Sequence, residues 1–390
     1  MKNPKNTFGL VCTGGGAHGA YQVGVLKYIH EHFGEGEQSP FQVFTGCSCG
    51  SLNTSFFAAQ SFDAKKSRLW LEELWLGFHI PSYHGNILHN STKLFWRQWR
   101  KPKEERHPTW SLLDPVPMHE VIQKGFIREN LERSLREGSS LGIGVVATEL
   151  VSGRCTWFIE GPNAKPWNLF HSIGKTGRVT MPHIAASCSV PVFMPPVKVD
   201  DRYFLDGSIA LSRPLSAAIA MGATRVLSIS TEKPVPDDLP SYSHHFRPRI
   251  SNVVRMLLNR LSYNGAIDEA KEIEAFNQFY DALSKKALRL GKGEDPLPLF
   301  HKEALPYHYR PTEILQIHPS RRIQPISTNA EYGRGEKVKR RSTRFMFHEK
   351  FIRELIHLGY EDAAAQRKDL DVFFRGPGKT KSGWRSVLGL

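Results

Sequence analysis

Twice near its start the chain passes from a short apolar run through a glycine-rich turn into a helix pattern. Phe8 to Cys12 reads as a buried strand; three glycines follow, and then apolar residues recur at helical spacing as far as Phe33. Phe41 to Thr45 repeats the pattern, with a second helix predicted over Leu52 to Ala59. Strands that alternate with helices in this way predict an α/β layered fold.

The remainder of the chain continues the alternation. Further strands are predicted at Leu141 to Thr148, Cys155 to Ile159, Arg202 to Leu205, Thr224 to Ser230 and Glu313 to His318. Helices are predicted over Leu215 to Met221, Asn252 to Leu290 and Phe345 to Leu358. We expect a first domain over residues 7–232 and a helical C-terminal extension with one added strand over 233–375. Residues 79–117, rich in Trp, His, Pro and basic residues, suggest an insertion or lid, and 376–390 a disordered basic tail.

The net charge of +14 favours an anionic partner, which could be nucleic acid or the headgroups of acidic lipids. A solvated basic surface without a partner is the plain alternative. The sequence has no helix-turn-helix, zinc or base-stacking motif, so we expect no nucleic-acid partner. The oligomeric state is not indicated.

The five cysteines are odd in number and lack the spacing of a disulfide framework, which favours reduced thiols in a cytoplasmic protein. No window approaches the ~18 apolar residues that a membrane-spanning helix requires. We therefore expect any contact with a membrane to be peripheral, on its inner face.

The turn after the second strand matches the G-x-S-x-G nucleophile elbow, with Ser48 at its centre. The flanking residues of this pattern are Gly46, Cys47, Cys49 and Gly50. Such a turn exposes a serine hydroxyl at a helix N-terminus, where developing negative charge is favoured. The pattern alone also occurs by chance, so its position between a strand and a helix carries the argument.

The turn after the first strand offers backbone N–H groups to an anion or an oxyanion. Its candidate residues are Gly14, Gly15, Gly16, His18 and Gly19. A nucleotide-binding loop is the competing interpretation. No Lys-Ser/Thr pair follows as in a P-loop, and the acidic residue of a dinucleotide site would fall in a loop at Glu35 or Glu37.

A serine nucleophile needs a base, and Asp206 at a predicted strand end can supply one if its site raises the pKa from about 3.9. Gly207 follows it as a supporting residue. A simple Asp-Gly turn is the commoner explanation of such a pair. We assign no histidine to a catalytic triad.

Four blocks in order resemble the bacterial patatin-like phospholipase family. The segment from Gly14 to Leu26 is similar to its oxyanion block, and Gly46 to Gly50 to its elbow. Ala186 to Pro196 is similar to its proline-bearing block, and the pair Asp206-Gly207 to its dyad aspartate. The resemblance implies a three-layer α/β/α patatin-like fold with a mostly parallel central sheet.

The same resemblance implies a lipid acyl hydrolase of the phospholipase A or lysophospholipase type, in which Ser48 and Asp206 form a dyad without histidine and an acyl-enzyme is formed. It calls for no metal and no cofactor, and for a phospholipid or lysophospholipid substrate. His18 stands where the family usually has Arg or Lys, and Ser208 where glycine is common. A catalytically weak or silent membrane-binding or scaffold protein, or an acyltransferase, remain alternatives.

One aromatic and basic stretch predicts contact with a membrane, because indole rings suit the acyl boundary and cations suit phosphates. Its residues are Trp96, Arg97, Trp99, Arg100 and Lys101. A helix that packs its aromatic rings on the core fits equally well. A second basic run, from Arg334 to Arg344, could also bind anionic lipid.

Overall fold

The computed structural model describes residues 6–34, 38–77, 111, 115–169, 172–234, 265–289, 311–323 and 343–376. Most of the predicted insertion over 79–117 lies outside these ranges, and so does the tail from 377 onward.

Ten strands in this part of the chain form one sheet. They are β1 (Phe8–Cys12), β2 (Val43–Cys47), β3 (Gly142–Glu149), β4 (Cys155–Glu160), β5 (Trp167–Asn168), β6 (Ser172–Thr176), β7 (Val197–Val199), β8 (Arg202–Asp206), β9 (Arg225–Ile229) and β10 (Glu313–Ile317). The order across the sheet is β10-β9-β1-β2-β3-β4-β6-β5, while β8 pairs with β3 and β7. The five strands from β10 to β3 are mutually parallel.

Helices cover the sheet on both faces. They are α1 (Gly19–Phe33), α2 (Cys49–Ala59), α3 (Ala64–Gly77), α4 (Val116–Gly125), α5 (Arg128–Glu137), α6 (Met181–Ser187), α7 (Ser216–Ala220), α8 (Ala266–Arg289), α9 (Glu349–Ala365) and α10 (Arg367–Arg375). Short 3-10 turns lie at Gly16–His18, Gly207–Ile209 and Thr343–Phe345.

The sheet lies between two layers of helices, and an apolar core fills the space on each of its faces. The larger core joins α1, α2 and α9 to one face of the sheet, through side chains such as Leu26, Phe56 and Phe351. The smaller core lies on the opposite face, where Ile219 of α7 and Ile273 of α8 pack. The central strands are buried on both faces, as parallel strands between helix layers must be. The expected α/β fold with a mostly parallel central sheet is confirmed.

The C-terminal part of the chain packs directly on the first helix. Tyr21 on α1 donates a buried hydrogen bond of 3.0 Å to Asp362 on α9. The same carboxylate oxygen accepts the Ser320 N–H at 2.9 Å, just after β10. One buried acid therefore ties α1, α9 and the segment beyond β10 together.

In the part of the chain that the structure describes, no helix combines the length and the apolar character needed to cross a bilayer. The parallel strands β1, β2 and β3 all point their carboxyl ends to one edge of the sheet. In open α/β sheets this edge is where ligands bind.

Candidate active site

Ser48 occupies a strained turn between β2 and α2. Its φ of 54° and ψ of −129° are sparsely populated for a residue with a side chain, which costs on the order of 1–3 kcal/mol. The surrounding contacts hold the turn: the Ser48 N–H donates to Ser187 Oγ at 2.9 Å, and its carbonyl accepts the Ser51 N–H at 2.8 Å. Strain retained against these constraints is typical of a functional position.

The two flanking glycines are required by close packing. A methyl group at Gly46 would collide with the Gly50 carbonyl and the Thr54 hydroxyl. One at Gly50 would collide with the Cys12 carbonyl at the end of β1. The spacing of the G-x-S-x-G pattern thus follows from how tightly β1, β2 and α2 approach one another.

Strand register brings Asp206 to this turn. Cys47, the last residue of β2, lies opposite Val146 of β3, and Asp206 lies opposite the next residue, Ala147. At these residues β4 pairs with the opposite side of β3. β8 therefore pairs with the side of β3 that β2 occupies as far as Cys47. The end of β8 therefore meets the end of β2, next to Ser48.

The Asp206 carboxyl is buried, and its two oxygens have different hydrogen-bonding environments. Oδ1 accepts the Ser208 N–H at 2.9 Å and the Ser208 hydroxyl at 2.6 Å. Among the described residues, Oδ2 has no hydrogen-bond partner. Burial raises the pKa of Asp206 to about 6, while the Ser208 and Ser48 hydroxyls lower it in part. The Ser48 side chain thus interacts with the carboxyl, although no hydrogen bond of regular geometry joins them.

Ser208 lowers the pKa of the Asp206 carboxyl. Replacing it with alanine removes the hydroxyl that stabilises the carboxylate, so we expect the pKa of Asp206 to rise. If Asp206 is the base, the acidic limb of the kcat/KM profile moves to higher pH by roughly 0.5–1 unit. The measurement is a pH profile on a soluble nitrophenyl ester. The exposed Ser152→Ala serves as the control, and an acidic limb at the wild-type pH in Ser208→Ala would contradict the assignment.

The glycine loop lies against the serine. A methyl group at Gly14 would be 3.1 Å from Ser48 Cβ. Thr231 anchors the loop by donating its hydroxyl to the Gly14 carbonyl. Burial raises the pKa of the Cys49 thiol to about 12, and the backbone N–H groups of Gly16, Gly50 and Gly15 oppose that rise. The glycine loop and the start of α2 therefore lie close to the Cys49 thiol, next to Ser48 in the chain.

The His18 side chain contacts two polar residues from later parts of the chain. Its ring is buried; Nε2 lies 2.8 Å from the Thr343 hydroxyl and Nδ1 3.5 Å from a Glu232 carboxylate oxygen. Burial lowers the pKa of His18, which the contact with Glu232 offsets only in part. The ring is therefore predominantly neutral at pH 7. Gly19, the next predicted residue, begins α1 against Trp75 and the Cys49 side chain.

The cysteines around the serine are buried thiols. Cys47 and Cys49 are both free and buried, and burial raises the pKa of each. A protonated buried thiol is a small packing group and not a nucleophile. Gly207 follows Asp206 directly, where a side chain would collide with the Val146 carbonyl.

An apolar pocket opens onto Ser48. The empty space between its walls is about 600 Å³ when the open solvent at its mouth is included. Its apolar walls include Leu52, Trp75, Met118, Val121, Met194 and Phe347. Apolar walls around a single nucleophile suit a hydrocarbon chain attached to a reactive group.

Several residues at the site were not predicted. Ser187 holds the elbow backbone, and Glu232 and Arg344 form an ion pair beside the glycine loop with 2.8 Å between Nη2 and Oε1. Arg344 was predicted only as one member of a basic run whose other residues lie outside the described ranges. The residues Trp96, Arg97, Trp99, Arg100 and Lys101 lie outside them too.

Comparison with known proteins identifies the family of this chain. The family model of the patatin-like phospholipases matches residues 10–219, over half of the chain. The chain therefore belongs to the patatin-like phospholipase family, and its broad class is that of the lipid hydrolases.

Solved structures provide more distant similarities. VipD from Legionella pneumophila is 13% identical, with a TM-score of 0.39 over 95% of this chain and 67% of VipD. Human GIVD cytosolic phospholipase A2, solved in complex with methyl gamma-linolenyl fluorophosphonate, is 11% identical, with a TM-score of 0.41 over 95% of this chain and 58% of its own. The chain thus spans about two thirds of the first protein and less of the second.

Proposed function

We propose that this protein hydrolyses carboxylic ester bonds of phospholipids or lysophospholipids with a Ser48–Asp206 dyad. The observation that carries the proposal is the meeting of β8 with the end of β2, which sets a buried carboxyl oxygen without a partner among the described residues beside a strained serine. A base must lie within reach of the hydroxyl it deprotonates, and the interaction of the Ser48 side chain with the Asp206 carboxyl supports this pairing.

The chemistry follows from the groups present. Asp206 Oδ2 accepts the proton of the Ser48 hydroxyl as Oγ attacks the ester carbonyl carbon. The carbonyl oxygen becomes an oxyanion and is stabilised by the Gly15 and Gly16 amides. The C–O bond to the glycerol then breaks, and the alkoxide takes the proton from Asp206. Water gives a proton to the same carboxylate as its oxygen attacks the carbonyl carbon of the acyl-Ser48 ester. The bond between that carbon and Ser48 Oγ then breaks, Oγ takes the proton back from Asp206, and the fatty acid is released.

The pocket supplies the binding energy for the acyl chain. Each buried methylene contributes roughly 0.8 kcal/mol, so the apolar walls favour a long chain over a short one. The net charge of +14 attracts the enzyme to anionic membrane surfaces. We place the activity at the inner face of a membrane, in a cytoplasmic protein that docks peripherally, with residues 96–101 as the proposed contact.

Fatty-acid release from vesicles tests the proposal. Purified protein is incubated with phosphatidylcholine or lysophosphatidylcholine vesicles with and without anionic lipid, and the products are identified by mass spectrometry. We expect free fatty acid and the deacylated lipid, with faster release from anionic vesicles. A fluorophosphonate probe should label Ser48. Transfer of the acyl group to an added alcohol alone would identify an acyltransferase, and absence of both labelling and products would reject the proposal in favour of a silent module.

A further inference from the structure

The pocket at Ser48 contains one charged side chain among its described lining residues. All the other described lining residues are apolar, small or uncharged, and Arg344 alone carries a charge. Its side chain is 12% exposed, so it is largely withdrawn from bulk water. A largely buried guanidinium on a residue that lines an apolar pocket is costly to desolvate, so its presence here needs a reason.

Backbone packing brings Arg344 into contact with the glycine loop. A methyl group at Gly16, whose φ is +60°, would collide with the Arg344 carbonyl, so the two backbones are in direct contact. The preceding residue, Thr343, reaches His18 through its hydroxyl at 2.8 Å. The 3-10 turn Thr343–Phe345 therefore forms part of the wall beside the proposed oxyanion site.

An ion pair fixes the direction of the guanidinium. Arg344 Nη2 lies 2.8 Å from Glu232 Oε1, and the same oxygen is 3.5 Å from His18 Nδ1. Burial alone would raise the pKa of Glu232, but the hydrogen bond with His18 and the positive charge of Arg344 outweigh it and lower the pKa. Glu232 therefore stays ionised, and Arg344 is held in place across the physiological pH range.

The planar guanidinium can bind a carboxylate on one edge and a phosphate on another, because it has five N–H donors in a fixed fork. His18 cannot provide a permanent positive charge here, since its ring is buried and mainly neutral. In a glycerophospholipid the phosphate and the scissile ester are attached to the same glycerol. The phosphate of a glycerophospholipid whose ester carbonyl is at Ser48 would therefore lie within a few bonds of Ser48, in or near the pocket that Arg344 lines.

We propose that Arg344 is a specificity-determining residue that binds the phosphate group of the substrate and selects phospholipids over uncharged glycerides. The inference rests on the proposed function and deepens it. Glu232 and Thr343 act as positioning residues, because they hold the arginine and its turn without contacting the substrate.

The test compares two substrates that share one acyl chain. Lysophosphatidic acid and monoacylglycerol are presented in mixed micelles with a non-ionic detergent, and kcat/KM is measured for both. We expect wild type to prefer the phosphorylated substrate. In Arg344→Met the ratio of the two kcat/KM values should fall by roughly tenfold or more, mainly through KM for lysophosphatidic acid. Arg344→Lys should recover part of the ratio.

Matched controls distinguish the loss of the Arg344 charge from a general loss of structure. Arg353→Met removes an exposed arginine on α9 that, among the described residues, pairs within its helix with Glu349, and should leave the ratio at the wild-type value. Circular dichroism and fluorophosphonate labelling of Ser48 show that each variant is folded with a reactive serine. If Arg344→Met does not fold, the wild-type preference and the Arg344→Lys ratio still decide the question.

A competition arm identifies the source of the phosphate. Inorganic phosphate is added to the monoacylglycerol reaction. If it inhibits hydrolysis by wild type, and inhibits Arg344→Met less, the site binds any phosphate group. A falling ratio without such inhibition shows a site for the lipid headgroup alone. An equal ratio in wild type and Arg344→Met, or no wild-type preference, overturns the inference while the dyad stands. Loss of both hydrolysis and labelling in wild type would instead remove the proposed function.

Discussion

Alanine at position 48 is expected to reduce fatty-acid release by roughly 10⁴-fold or more, to a rate close to background. The reason is that no other group at the turn can form the acyl-enzyme. The neighbouring thiols of Cys47 and Cys49 are buried and protonated, because burial raises the pKa of each. The measurement is kcat/KM on lysophosphatidylcholine together with labelling by a fluorophosphonate probe, which should vanish.

Ser55→Ala provides the matched control. Ser55 lies on α2 two helical turns after the elbow, is fully buried, and its hydroxyl has no hydrogen-bond partner in the described part of the chain. Removing that hydroxyl should leave hydrolysis and labelling close to wild type. Hydrolysis that persists in Ser48→Ala at more than a few per cent of wild type would rule out the serine as nucleophile, and would direct attention to the pocket thiols.

The elbow could be predicted from the sequence because its residues lie within one short turn. Gly46 is needed by contacts with Gly50 and Thr54, and Gly50 by the more distant Cys12 carbonyl, but both glycines stand at a fixed spacing from Ser48 that the sequence shows. Asp206 was placed as the partner of Ser48 from a resemblance of whole blocks. The register of β8 on β3 that would position it involves residues far apart in the chain. No local pattern encodes that pairing.

Gly359 shows where local rules gave a wrong boundary. A glycine after an apolar helical pattern usually ends the helix, and the predicted helix stopped at Leu358. The structure continues α9 through Gly359 to Ala365, and α10 follows. A side chain at Gly359 would collide with the Tyr21 carbonyl of α1, so the glycine serves the contact between helices. Its partner lies more than three hundred residues earlier, and nothing in the neighbouring sequence indicates it.

The environment of Arg344 was beyond sequence reasoning for the same physical cause. In the sequence it belongs to a run of cations that is typical of a solvated or lipid-facing surface. In the fold its backbone contacts Gly16 and its guanidinium pairs with Glu232. Charge patterns describe composition along the chain, whereas this contact joins two turns that are more than three hundred residues apart in the sequence.

Asparagine in place of Asp206 is expected to lower kcat/KM by about 10³–10⁴-fold, because the serine then has no base. Burial raises the pKa of Asp206 to about 6, so wild-type kcat/KM should be level above that pH and fall about tenfold per pH unit below it. The residual activity of Asp206→Asn should lack this acidic limb. The check is a pH profile from 4.5 to 8.5 on a soluble nitrophenyl ester for both proteins.

The stability of the same variant distinguishes a catalytic carboxylate from a structural one. The pKa of Asp206 is higher in the folded state than its ordinary value of 3.8, so the unfolded chain ionises first and wild-type stability falls as pH rises from about 4 to 6. Above pH 6 this ionised, buried carboxyl costs the folded state about 3 kcal/mol, a burden that asparagine does not carry. Urea unfolding at pH 8 should therefore find Asp206→Asn no less stable than wild type, with a smaller advantage at pH 4.5. A variant that is both inactive and several kcal/mol less stable at pH 8 would show that Asp206 supports the fold, and its loss of activity could not then be assigned to a missing base.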